Sequence, residues 1–235
     1  MRVLLTSSVI AVLSVAAAVP AMEDSTLHSE YLGGYRFGLG VAPGVNHHEA
    51  KDSRTATGTP DPTQNQDVSL TAKGGLDLYG GMFFNTALNG GVGVAVTPTI
   101  FYRDVRGKGT SGGVEVRDEF KAWGARLAIG PAAAWGPIAL EVTPFVGVGQ
   151  GWMQTEYVAG GVSTRRGSGA NVMIDYGITA NAYWLFSSNF YVGASAGFDG
   201  FRCEMDSKAK GALDSQKITV KGDGLMANAL FGFWF

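Results

Sequence analysis

Cysteine is nearly missing from this 235-residue chain: Cys203 stands alone, which excludes an intramolecular disulfide framework and any multi-cysteine metal site. Histidine is almost as scarce, with only His28, His47 and His48 to offer a base or a metal ligand. Charged residues make up 16% and sum to −2, so no basic surface recommends a nucleic-acid partner. Beyond residue 21 no run approaches the ~18 consecutive apolar residues of a transmembrane helix. Disorder is excluded as well, because 46% of the residues are hydrophobic and the net charge is small. What the chain has in excess is glycine, 35 residues, roughly double the ordinary usage of about 7%. Glycine costs about 1 kcal/mol at each helical position, so helix-rich folds are disfavoured. No G-X-Y period is present, which excludes collagen. A β protein remains.

Residues 1–21 read as an export signal. Arg2 is the only charge, Val3 to Ala18 is apolar apart from a few hydroxyls, and Val19-Pro20-Ala21 supplies the small residues of a cleavage site. Residues 22–30 then form a short periplasmic segment, and residues 31–235 form the barrel argued below.

The remaining chain alternates with period two, the mark of strands with two different faces. Eight such segments are present: Tyr31–Val41, Val68–Gly80, Val92–Tyr102, Trp123–Gly130, Ile138–Gly149, Val172–Tyr183, Tyr191–Asp199 and Leu225–Phe235. Each approaches or exceeds the ~9–11 residues that a tilted strand needs to cross a bilayer. Long polar stretches (Asn46–Asp67, Asp104–Val114, Met153–Ala170, Arg202–Gln216) alternate with short ones (Asn85–Gly90, Pro131–Pro137, Phe186–Asn189). Long loops on one side and short turns on the other predict an all-β, eight-stranded antiparallel up-and-down transmembrane β-barrel with both termini in the periplasm.

A soluble barrel would turn its apolar face inward. Three features reverse that assignment. The polar face carries equal opposite charges, Arg36, Lys73 and Arg126 with Asp77, Glu141 and Asp175, which suits a closed interior where an unpaired charge is costly. Aromatic residues gather at segment ends, with Phe84, Trp135, Trp184 and Phe190 near the short turns and Tyr102, Trp123, Trp152 and Phe198 near the long loops. Those are two interfacial girdles. The chain ends on Phe231-Gly232-Phe233-Trp234-Phe235, an aggregation hazard as an exposed edge but not in a closed barrel facing lipid. Pro98 and Pro144 fall on the lipid face and are expected to mark bulges, since proline is rare in central strands.

With its signal peptide, its eight alternating segments and the stretch Val142-Thr143-Pro144-Phe145-Val146-Gly147-Val148-Gly149, the chain resembles outer-membrane barrels of the opacity-protein and outer-membrane-protein-A type. The resemblance implies that Phe231, Phe233 and Phe235 form a C-terminal signal read by the barrel-assembly machinery. It also implies outer-membrane lipid and lipopolysaccharide as surroundings. With no residue after Phe235, cell-wall tethering through a following domain is not expected.

The inward charges allow two readings, a narrow gated path or a satisfied polar plug. An eight-stranded interior is just wide enough for side chains to fill, and Tyr79, Phe101, Phe145, Tyr183 and Tyr191 also point inward, so the plug is favoured. His47-His48-Glu49 reads as an exposed polar loop rather than a metal site, and Cys203 as an incidental thiol in the last long loop. No histidine falls on an inward strand position, so no catalytic residue, cofactor or metal ligand is expected. The resulting expectation is a non-enzymatic protein with a structural or surface-interaction role through mobile outer loops, which either bind an extracellular ligand or form a solvated surface clearing the lipopolysaccharide. A narrow porin-like channel and a lipid-A-modifying enzyme are the alternatives.

Overall fold

A computed structural model describes residues 33–52, 66–88, 91–186, 189–209 and 215–235; the expected signal peptide, the segment 22–30, Tyr31 and His28 lie outside these. The described strands are β1 (Gly33–Ala42), β2 (His47–Asp52), β3 (Asp67–Ser69), β4 (Thr71–Leu88), β5 (Val92–Ser111), β6 (Val114–Trp135), β7 (Ile138–Ala159), β8 (Val162–Ser168), β9 (Asn171–Leu185), β10 (Phe190–Ala209) and β11 (Ser215–Trp234). They make eight staves, because β1 continues as β2, β3 as β4 and β8 as β9 after short breaks. Each stave pairs antiparallel with its neighbours in sequence, and β11 pairs with both β10 and β1, which closes the ring. Gly33 and Phe235 seal that seam with two backbone hydrogen bonds, at 3.2 and 2.9 Å.

The pairing fixes the geometry of the ring. From Glu141, partners lead through Asn181, Ser195, Asn228, Gly40, Asp77, Arg103 and Ala122 to Gly151, ten residues further along the starting strand. A climb of ten residues over eight staves tilts the strands by about 40°. At that tilt the 20 residues of β5 rise about 50 Å, roughly twice the ~25 Å apolar band of an outer-membrane barrel.

Side-chain polarity accounts for the extra height. On β6 the outward residues Trp123, Ala125, Leu127 and Ile129 are apolar, while Lys121, Glu119, Arg117 and Glu115 beyond them are charged. On the inward face of the same strand the order is reversed: Arg126 lies beside the apolar band, and Ala122, Phe120, Val116 and Val114 lie beyond it, all buried. β5 switches likewise between Tyr102 and Asp104. The lower half is built for lipid outside and polar groups inside, the upper half for water outside and an apolar core inside. That core joins Val68, Leu70, Val105, Phe120, Met153, Phe201, Cys203, Met205, Ile218 and Val220.

Several expectations are corrected here. Two of the long polar stretches, Asp104–Val114 and Met153–Ala170, are largely strand: β5 and β6 meet at Gly112-Gly113, and β7 and β8 at Gly160-Gly161, four glycines with φ between 56° and 80°. Such angles fit two-residue hairpin turns that favour glycine. The loop assignment failed because these segments keep period two while exchanging which face is apolar. Pro98 and Pro144 are not bulges. Around Pro98 the pairs Gly81–Thr99 and Phe84–Val96 keep one register, as do Ala128–Phe145 and Ala132–Glu141 around Pro144. The ladder merely skips the pairs beside each proline on one side and runs unbroken on the other, because proline lacks an N–H. The register shift lies instead between Ala72 and Gly75, with Gly74 at φ 69°.

Inward rings explain part of the glycine excess. Tyr79 lies opposite Gly38, Phe83 opposite Gly34, Phe145 opposite Gly177, and Tyr191 opposite Gly232, and each ring lies where the glycine's side chain would be. A Cβ on Gly38 would come within 2.2 Å of Tyr79 Cζ. A narrow barrel admits large rings only where the neighbouring stave contributes no side chain.

Candidate functional site: the barrel interior

Of the six charged residues expected inside, Arg36, Asp77, Arg126, Glu141 and Asp175 are buried there. Lys73 is exposed, a correction caused by the bulge: one extra residue at Gly74 flips the faces, so Val68 and Leu70 point inward above it and Asp77 and Tyr79 below it. Two further interior residues, Arg103 and Asp199, were missing from that set. Arg103 continues the alternation one step past Tyr102, where the sequence segment was ended. With Lys73 outside, the membrane-side interior holds three guanidinium groups and four carboxyl groups, one carboxyl in excess of balance, while Asp118 and Arg166 are buried higher up.

The charges form two layers. In the lower one, Arg36 Nη2 donates to Glu141 Oε2 at 2.7 Å, and Tyr183 and Asn181 donate to the same oxygen at 3.0 and 3.4 Å. The Arg36 guanidinium also lies 5.0 and 4.9 Å from the ring centres of Phe83 and Tyr183. In the upper layer, Arg126 reaches Asp77 at 3.2 Å and pairs with Asp175, while Arg103 reaches Asp175 at 3.1 Å and Asp77 at 3.5 Å and pairs with Asp199. Phe101 and Phe145 lie 4.2 and 5.0 Å from the Arg126 guanidinium. Between the layers lies a cavity of about 40 Å³, lined by Arg36, Arg126, Thr97, Thr99, Thr143, Thr179 and Asn181. That is room for a few waters.

The layers are capped on both sides. Below them Phe83, Tyr183, Leu185, Tyr191, Leu230 and Trp234 form an aromatic cluster at the short-turn end. Trp234 is latched there by hydrogen bonds to Phe186 and Asn189, the latter a left-handed residue at φ 64°. Above them lies the apolar core of the upper half, the extension of the barrel wall beyond the apolar band.

His48 is also corrected. It sits on β2, fully buried, with Nδ1 2.7 Å from Asp118 Oδ2 and Nε2 3.1 Å from the Tyr157 hydroxyl. Thr155 donates to Asp118 Oδ1 at 2.7 Å. The network ties β2 to β6 and β7 across the upper core. An Asn-His-His-Glu stretch looked like loop because β2 is short and follows the break at residues 43–46. Cys203 likewise lies on β10, buried, its thiol 3.4 Å from the Val172 carbonyl. Among the described residues no group of three or more His, Cys, Asp or Glu is arranged to hold a metal ion. Phe231, Phe233 and Phe235 point outward and are about half exposed, packing on Phe37, Phe190 and Tyr35 respectively.

No protein-family model matches the sequence, and no curated protein matches it. Among solved structures the chain is similar to the outer membrane protein OprG of Pseudomonas aeruginosa, at 12% identity over 88% of this chain and 97% of that one, with a TM-score of 0.43. It is also similar to the outer membrane protein AlkL in lipid bilayers (14%, 92% and 96%, 0.42). A third is Ail, the attachment invasion locus protein of Yersinia pestis (15%, 86% and 99%, 0.30). All three are outer-membrane proteins. At these identities and scores the likeness bears on neither role nor ligand.

Proposed function

We propose that the protein is a non-conducting, non-enzymatic barrel of the bacterial outer membrane, whose rigid extension presents a charged surface for structural or surface-interaction roles. The observation that carries this reading is the closure of the interior at successive levels: aromatic cluster, two ion-pair layers, apolar core. A path for ions would have to pass all of them. The extension supports the second half of the proposal, since recognition is commonly carried by surfaces held on a rigid scaffold. Against an enzyme stands His48, whose two ring nitrogens are engaged by Asp118 and Tyr157 inside a packed core.

The same reading includes export through residues 1–21, lipid and lipopolysaccharide as the surroundings, and Phe231, Phe233 and Phe235 as the signal for the barrel-assembly machinery. It leaves the extracellular ligand to be identified. Planar-bilayer recording of the refolded protein tests the closure: no steady conductance is expected, from the wild type or from Glu141→Gln. Stepwise currents through the wild type would overturn it. Comparing lipid A from cells with and without the protein by mass spectrometry tests the enzyme alternative, and identical spectra are expected.

A further inference from the structure

The lipid-facing surface of the described residues carries a trough that the closed interior does not explain. It is an open hollow of about 530 Å³ along β1, β4, β5 and β6, bordered by Phe37 and Phe231 on one side and by Tyr102 and Trp123 on the other. Its floor exists because Gly80 points outward in the middle of the apolar band. Gly80 lies between Phe37 and Ile100 in the pairing; the Phe37 ring covers one side of it, 3.2 Å from where a Cβ would lie, and the other side is left low. Its lining is apolar throughout. Facing the hydrocarbon, it is reached only by lipid or by another membrane protein.

The rim points to which. Tyr102 and Trp123 are opposite one another and mark headgroup depth on the side of the extension. One step beyond them, Asp104 lies opposite Lys121, whose ammonium is 3.2 Å from Glu119 and 3.8 Å from Asp104. Arg106 is 3.3 Å from Glu119. Lys73, which the bulge at Gly74 places in the open above Leu76, has no ion-pair partner among the described residues. Lys73, Lys121 and Arg106 against Asp104 and Glu119 leave one positive charge in excess, held at the depth of a headgroup phosphate.

We propose that this trough is a binding site for one lipid A molecule, with an acyl chain laid over Gly80 and a phosphate on Lys73. The site rests on the outer-membrane reading above, because the extension makes this the outer leaflet. Native mass spectrometry of the refolded barrel in detergent tests it, with bisphosphorylated lipid A, its dephosphorylated form and phosphatidylcholine as probes. Wild type is expected to retain a single lipid A and to prefer it over both other lipids. Lys73→Gln is expected to weaken retention about fivefold, as for one basic residue near an anionic surface, and Lys73→Arg to restore it. Gly80→Trp is expected to abolish it by filling the trough, while heat-modifiable gel migration shows the barrel intact. Equal retention by wild type and Gly80→Trp, or no preference for the phosphorylated lipid, overturns the site. So does a dimer lost on Gly80→Trp, which would assign the trough to a second copy. Insertion into phosphatidylcholine vesicles separates the two readings: a barrel that inserts but retains no lipid A overturns the site alone, and one that does not insert overturns both.

Discussion

Arg36 and Glu141 face each other at 2.7 Å across the barrel, 105 residues apart in sequence and both almost wholly buried. Removing one partner strands the other in a low-dielectric interior, which costs about 3–5 kcal/mol, whereas replacing both by apolar side chains is often neutral. Arg36→Leu is therefore expected to lower stability by about that amount, and Arg36→Leu with Glu141→Leu to recover most of it. Urea unfolding of the vesicle-inserted protein measures both. A single variant as stable as the wild type would remove the lower layer from the account of stability.

Phe120 and Phe201 stack at 5.0 Å in the core of the extension. Truncating a buried ring costs about 3–5 kcal/mol, and Phe120→Ala is expected to place that loss in the upper half alone. Hydrogen exchange should accelerate over residues 114–121 and 200–206 while the strand segments beside lipid keep their protection. Uniform acceleration along the staves would mean that the two halves unfold as one unit.

Gly38 and Tyr79 compete for one volume. Gly38→Val is expected to destabilise the barrel by about 1–3 kcal/mol through overpacking, and adding Tyr79→Ala to relieve part of the loss. The urea midpoints of the two variants check this coupling. Simple additivity would show that the ring has another place to go.

Acid is expected to loosen one face of the extension. The hydrogen bond from Lys108, then that from Arg117, holds Glu115 below the ordinary value of 4.5. Ser163, then Arg165, does the same for Glu156. A carboxyl whose folded value is depressed contributes stability above its unfolded value and loses it as pH falls through the folded one. Exchange in β6, β7 and β8 beyond Trp123 should therefore quicken below pH 4.5, modestly because the groups are exposed, and less so in high salt. Glu115→Gln with Glu156→Gln should flatten the dependence. A profile unchanged by those substitutions would assign the acid response to other groups.

The half of the barrel beside lipid was legible because its alternation has the sign expected of a membrane strand. From Trp123 to Ile129 and from Ile138 to Val148 the apolar residues face out, and the inward set follows by parity. The extension obeys the same parity with the opposite sign, so Asp104-Val105-Arg106-Gly107-Lys108 looked like charged loop although Val105 is buried. Lys73 was misplaced by one residue of bulge, which no period-two count reveals unless the conformation of Gly74 is known. The partners of His48 lie on strands far away in sequence, and only the closure of the ring brings Asp118 and Tyr157 to it.

The reversal of polarity between Tyr102 and Asp104, and between Trp123 and Lys121, also sets how deep the protein floats. Sinking by one pair of residues would drag Asp104 and Lys121 into hydrocarbon, while rising by the same step would lift Tyr102 and Trp123 into water. Neither drift can be absorbed by tilting alone, since the reversal recurs on staves around the ring. The height at which the extension stands above the bilayer is thus a property of the wall itself.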